Sequence, residues 1–283
     1  MPSSAGALAI LAGGGALPLI VAREAMAGGR SVHILAIEGF FGDLAAAPCP
    51  ATQVGLGQIG GILDALKRHG CTELVICGQV DRPELSQLKL DLGALANLPK
   101  LAAMMLGGDN HLLTTIVRFF EAKGFAVVGA DAVAPSLLAG EGALGRLRPS
   151  SEAAADIARG FEIVRTLGAL DIGQAAVVAK GYTLAVEAAE GTDLLLERVA
   201  ELRRAKGRLG GKRSGVLVKR AKPGQDRRVD LPTVGPRTIE LAAAANLAGV
   251  GVQSRGVLLV ERTRIIELAD AAGIFVMGVA DGE

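Results

Sequence analysis

"ALAILAGGGALPLIVAREAMAGGRSVHILAI", residues 7–37, decides the fold. ALAIL (7–11) and SVHILAI (31–37) are apolar runs of strand length, and three glycines between them lead into a helical pattern over 17–27. Parallel strands joined by a helix are covered on both faces, so they read as continuous apolar runs rather than alternating ones. ELVIC (73–77) and FAVVGA (125–130) repeat the strand pattern, and 57–69, 81–105 and 112–123 read as helices, the second of these three interrupted near Pro83 and Pro99. Strictly alternating elements predict a Rossmann-like α/β domain with a parallel sheet over residues 1–137. Ligands of such a sheet lie at the carboxyl ends of its strands.

The second half changes character. GALGRLRPSSEAAAD (142–156) is rich in Gly, Pro and Ser, and Ser151 is the expected N-cap of a helix reaching about Leu167. AAVVAKGYTLAVEAA (175–189) reads as paired strands, GTDLLLERVAELRRA (191–205) as a helix and SGVLVKR (214–220) as a strand. A helix from about Pro236 to Leu247 and strands near 250–260 and 274–279 complete a mixed α/β domain over 150–283, with 138–149 as linker.

Charge is unevenly spread. The chain carries a formal +1, yet 203–228 holds eleven Lys or Arg against the single acid Asp226, a local +10 that leaves −9 elsewhere. Such a concentration points to an anionic partner at one place. Aromatics make up 3% of the residues and Trp is absent, which argues against a base-stacking platform and hence against nucleic acid as partner. Cys49, Cys71 and Cys77 form no CxxC pair and suit reduced thiols in the cytoplasm. The opening residues lack a basic n-region and no run of eighteen apolar residues occurs, so neither a signal peptide nor a spanning helix is expected.

Several stretches could carry chemistry. In LAGGGALP (11–18), Gly13, Gly14 and Gly15 precede a helix with Pro18 in its first turn. This is either a phosphate cradle or a tight turn. Gly13 and Gly15 match the first two positions of a dinucleotide fingerprint, Pro18 replaces the third glycine, and Glu38 stands where a ribose-binding acid would. An NAD(P)-dependent oxidoreductase is therefore the alternative function. ICGQVDRPELSQ (76–87) leaves the third strand with Gly78, Asp81 and Arg82. LGGDNHLL (106–113) sets Asp109 at a helix start, an ordinary N-cap position, beside His111. His33 and His69 read as structural. Lys180 falls at a strand end, and Thr192 and Asp193 fall at a helix start with Thr192 as the natural N-cap. The densest stretch is KPGQDRRVDLPTVG (222–235), which follows a strand ending in Lys219. Pro223–Gly224 turns the chain, Gln225, Asp226, Arg227 and Asp230 follow, and Thr233, Gly235 and Pro236 lead into a helix. Rigid turn chemistry around polar residues suggests that geometry matters there. HExxH, GxSxG and GxxxxGK[ST] are absent, which disfavours metalloprotease, serine hydrolase and P-loop readings.

Taken together, LAGGGALP, GGDNHLL, AAEGTDLLL and above all KPGQDRRVDLPTVGPRTIE resemble the UDP-2,3-diacylglucosamine pyrophosphatases of lipid A biosynthesis. The resemblance is to the two-domain, magnesium-dependent type, not the calcineurin-like one, and it spans essentially the whole chain. It implies hydrolysis of UDP-2,3-diacylglucosamine to UMP and 2,3-diacylglucosamine 1-phosphate (lipid X), with the substrate enclosed by two domains. It makes Asp226 the key acid, as ligand of Mg²⁺ or as the group that orients or deprotonates the attacking water. Lys219, Gln225 and Arg227 would stand beside it at the phosphates. Gly13–Gly15, Gly78, Asp81 and Asp109 would lie on the nucleotide side, and Lys180, Thr192, Asp193, Thr233 and Gly235 on the lipid side. A cytoplasmic protein touching the inner membrane is implied as well, and a homo-oligomer is compatible with it.

Overall fold

The computed structural model describes residues 6–80, 89–96, 109–206 and 211–280. They form two compact units, one of residues 1–136 with 226–230, the other of residues 137–225 with 231–283.

The first unit is the Rossmann-like α/β body foreseen from the strand–helix alternation. Strands β1 (Ala7–Ala12), β2 (Val32–Ile37), β3 (Ala51–Val54), β4 (Cys71–Cys77) and β5 (Ala126–Val127) make one sheet in the order β3-β2-β1-β4-β5. All its pairings are parallel, with Leu8 opposite Val32 and Ala9 opposite Leu74. Helices α1 (Leu17–Ala27), α2 (Ile59–Arg68), α3 (Leu92–Ala96) and α4 (Asp109–Ala122) lie between them, and α5 (Ala130–Val133) follows β5. Central β1 is buried along almost its whole length, which explains its unbroken apolar sequence. Leu35, Ile62, Leu66, Leu74, Val117 and Phe120 form the core of one face. Each such side chain contributes about 1.5–3 kcal/mol on burial.

Strand order reverses between β1 and β4, the topological switch point of a doubly wound sheet. Two expectations need correcting here. β3 was not foreseen, because ATQV is short, polar at its centre and lies on the sheet edge. FAVVGA contributes only two strand residues, since Gly129 ends the run and α5 begins. The helix expected over 81–105 lies largely outside the described residues, of which 92–96 are helical.

The second unit is built on a six-stranded mixed sheet. Its strands are β6 (Gly142–Ala143), β7 (Ala175–Ala179), β8 (Tyr182–Val186), β9 (Val216–Lys219), β11 (Gly249–Gln253) and β13 (Phe275–Val279), in the order β6-β13-β11-β9-β7-β8. β9, β11 and β13 run parallel, whereas β7, β8 and β6 pair antiparallel to their neighbours. β10 (Thr233–Val234) and β12 (Leu258–Leu259) form a separate parallel pair. The stretch read as linker, 138–149, contains β6, and Leu138 bridges Leu258.

Helix α6 (Ser151–Gly168) packs Ala153, Ile157 and Phe161 on Val216, Val218 and Phe275. The larger cluster holds Leu217, Val250 and Val252 with α7 (Gly191–Lys206), α8 (Pro236–Ala244) and α9 (Arg262–Ala272). Within β9, Leu217 belongs to one cluster and its neighbours Val216 and Val218 to the other, the period-two alternation of a strand covered on both faces. Ser150, rather than Ser151, caps α6, accepting from the Ala153 amide at 3.2 Å.

Candidate active site

The glycine turn closes on the neighbouring strand. Gly13 N–H donates to the Cys77 carbonyl at 2.9 Å, and Gly14 exchanges two backbone bonds with Gln79 at 2.8 and 2.9 Å. Gly78 has φ +99° and leaves no room for a side chain, since a Cβ there would stand 2.8 Å from the Gly13 carbonyl carbon. The glycines thus allow the ends of β1 and β4 to meet backbone to backbone at the switch point. Two amides that a phosphate cradle needs are thereby spent, and the donors of the turn that remain begin at Gly15, which is exposed with φ +85°. No side chain caps α1, and Pro18 in its first turn has no N–H to donate.

In the second unit, β9 ends in Lys219. This lysine is buried, and its ammonium donates to Thr192 Oγ1 at 2.8 Å and to the Thr233 carbonyl at 3.0 Å. Thr192 donates in turn to Glu187 Oε2 at 2.8 Å, and Glu187 is buried too. β9, β10 and the start of α7 are therefore tied by one buried cation. Thr192 was expected as an N-cap; it lies one residue inside α7, which starts at Gly191, and bridges Lys219 to Glu187. Asp193 is exposed in the same first turn, where a carboxylate complements the helix dipole.

Lys180 occupies the β7–β8 turn with φ +52°, followed by Gly181 at +77°. The backbone amides of both donate to the buried Asp156 carboxylate, at 2.9 and 2.7 Å. Its position is a tight hairpin turn, and Asp156, which the sequence reading passed over, is what fixes it. Gln225 is buried and its Oε1 accepts from the Lys222 amide at 2.8 Å, closing the Pro223–Gly224 turn. Gly235 is the extended N-cap of α8, followed by Pro236. Asp81 and Arg82 lie outside the described residues, and Asp109 opens α4 with its side chain outside them.

Asp226 begins the five residues that belong to the first unit. Its carbonyl accepts from the Val229 and Asp230 amides, both at 3.1 Å, so the segment is a single helical turn. Its carboxylate, 15% exposed, takes three N–H groups from Arg228: the backbone amide and Nε on Oδ1 at 3.1 and 2.9 Å, and Nη2 on Oδ2 at 2.7 Å. Arg228 Nη1 donates to Glu121 Oε1 at 2.6 Å. Arg227 is exposed, with its guanidinium 4.0 Å from Asp131. The bonds from Arg228 hold the Asp226 carboxyl below the ordinary aspartate range, against a partial burial that pushes the other way. Asp226 is thus a carboxylate fixed in its charged form. The sequence reading named Asp226 but not Arg228 or Glu121; the doubled arginine after the acid was the available signal for the first, and nothing marked the second.

Comparison with known proteins agrees with this architecture. Residues 7–137 match the family model described as LpxI N-terminal domain, and residues 140–277 match the LpxI C-terminal domain. The UDP-2,3-diacylglucosamine pyrophosphatase LpxI of Caulobacter vibrioides is 42% identical over 272 residues, covering 96% of this chain and 97% of that protein. Both halves of the chain, in order and nearly end to end, are accounted for by one set of relatives, and the chain belongs to the LpxI family.

Proposed function

We propose that this protein hydrolyses the pyrophosphate bond of UDP-2,3-diacylglucosamine, yielding UMP and 2,3-diacylglucosamine 1-phosphate. The observation that carries the reading is 42% identity across 96% of the chain to a protein bearing that activity in its name. Family membership leaves the nicotinamide alternative without support, and the spent amides of Gly13 and Gly14 weigh against it further.

The chemistry is a displacement at phosphorus. A water oxygen bonds to one phosphorus, the bridging P–O bond breaks, and the bridging oxygen leaves with the other phosphate. The protons of the water end on the products or on solvent. Asp226 has two candidate roles, base and metal ligand. A general base works best with a pKa near the operating pH, and Arg228 moves Asp226 the other way. The depressed pKa therefore favours a permanently charged ligand or orienting group.

Among the described residues no cluster of three or more His, Cys, Asp or Glu could cage a metal. Mg²⁺ does not need one, since it keeps several waters and binds through one or two carboxylates plus substrate phosphate. A carboxylate offers about four lone-pair sites, and the Arg228 bonds take two on Oδ1 and one on Oδ2. One site on Oδ2 fits a single bond to such an ion. Bound there, Mg²⁺ would neutralise the charge that gathers on the phosphate oxygens as the bridge breaks. Arg227 supplies a further exposed cation in the same segment, and the exposed Gly15 turn at the start of α1 suits the nucleotide phosphate. Lys219, expected at the phosphates, is read as the lock of the second unit, with Thr192 and Thr233 as its partners.

For the acyl chains, the second unit has a cavity of about 400 Å³ beside α6, lined by Ile157, Phe161, Met277 and Val279 together with Arg165 and the buried Arg220. Apolar walls with a few polar groups suit a lipid carrying an anionic head. No helix of the described residues is long and apolar enough to cross a membrane, so contact with a lipid surface would be peripheral.

The test is UMP release from UDP-2,3-diacylglucosamine, with and without Mg²⁺, by the wild type and Asp226→Ala. Robust Mg²⁺-dependent release that the substitution lowers by about 10²-fold or more is expected. Release that Asp226→Ala leaves intact removes Asp226 from the mechanism, and an inactive wild type removes the function.

A further inference from the structure

The Asp226 segment is held by more than its own turn. Val229 packs against the apolar core of the first unit, the cluster that holds Val117 and Phe120. The Arg228 Cα lies 3.4 Å from where a Cβ on Gly129 would stand, which seats the backbone just past β5. The guanidinium is then fixed at two ends. Nε and Nη2 grip Asp226, and Nη1 reaches Glu121 in the last turn of α4 at 2.6 Å. That helix is itself anchored, since Phe119 and Phe120, the residues just before Glu121, are buried and meet edge to face at 5.5 Å. The planar fork cannot rotate without losing one of its partners.

We propose that Glu121, acting through Arg228, is a positioning residue for the Asp226 carboxylate. It touches no reacting atom. It fixes the plane of the guanidinium, which fixes both carboxylate oxygens, so that the open site on Oδ2 points in one direction. As an isolated surface ion pair the 2.6 Å contact would be worth little, because both side chains are about 40% exposed. Its value is directional, since outer partners that orient a ligand typically change affinity or rate by about 10- to 100-fold. The inference rests on the hydrolase reading above.

Glu121→Ala should lower kcat for UDP-2,3-diacylglucosamine about 10-fold while KM moves less than about 2-fold, with Mg²⁺ half-saturation raised and thermal stability unchanged. On an Arg228→Ala background the same change should have no further effect, because its route is gone. The amides of Arg228, Val229 and Asp230 should exchange with solvent faster in Glu121→Ala, whatever the substrate. An unaltered kcat, or losses that simply multiply in the double variant, overturns the positioning role. A wild type without pyrophosphatase activity would indict the function instead, and the clamp is then decided by exchange alone: faster exchange upholds it and unchanged exchange ends it.

Discussion

Asp226 and Lys219 lie seven residues apart and show how differently two charges can be housed. Asp226 meets a cation directly, through three N–H groups of one arginine. Lys219 donates to the Thr192 hydroxyl, which donates in turn to the buried Glu187. Replacing Lys219 by Met keeps the apolar stem but strands Thr192 and the Thr233 carbonyl, so a loss of about 1–3 kcal/mol in urea unfolding is expected. A catalytic lysine at the surface of a site would give the opposite pattern, with activity lost and stability kept. For Asp226 the sign of the pH effect follows from its depressed pKa. The folded protein binds the proton more weakly than the unfolded chain, so the stabilisation is complete above the unfolded value of about 3.9 and fades as pH falls through the lower folded one. Urea midpoints measured between neutral pH and pH 3 should therefore fall less steeply in Asp226→Asn than in the wild type. An equal fall in both would show that the Arg228 pairing adds no linkage.

Elements transmit these residue choices. Gly78 joins the ends of β1 and β4, and Gly78→Ala must accommodate both φ +99° and a Cβ 2.8 Å from Gly13. Strain and overpacking together predict a loss of about 2–4 kcal/mol, measurable by thermal or urea unfolding. A near-neutral outcome would mean that the clasp is slack. At the other edge of the sheet, His33 on β2 stacks on His69 at the end of α2, with 3.6 Å between centroids, and its Nε2 lies 2.9 Å from Thr52 Oγ1 on β3. Burial, followed by the charge of His69, lowers the His33 pKa, so folding favours the neutral His33 ring. Its contribution is full above about pH 6.5 and is lost as pH falls. A drop in stability between pH 7 and pH 5.5 that shrinks in His33→Gln is the expected signature. The parallel strands and the β7–β8 hairpin were legible in the sequence, because continuous apolar runs and a Lys-Gly turn have strong local causes. β3 was not legible, since ATQV owes its strand state to pairing with Ile34–Ile37 rather than to its own pattern. In the site, the acid among cations stood out by charge alone. Glu121, which holds the other end of Arg228, is 107 positions from that arginine, and only the tertiary fold brings the two together.

At the scale of the whole molecule, each unit has its own apolar core, yet sequence order and unit membership part company at Asp226–Asp230. Five residues from the middle of the second half belong to the first unit, where Val229 packs on its core. Separate cores can open with separate free energies. Removing two methyl groups from Val229 should then weaken the first unit although the change lies in the second half of the sequence. Val229→Ala is expected to cost the first unit about 1 kcal/mol, since the side chain is only partly buried. Native-state hydrogen exchange locates the effect: amides of β1, β2 and β4 should exchange faster by about 5-fold, while those of β7, β9 and β11 keep their rates. Faster exchange confined to the second sheet would assign residues 226–230 to the other unit, and the Asp226 carboxylate would then move with β9 rather than with α4.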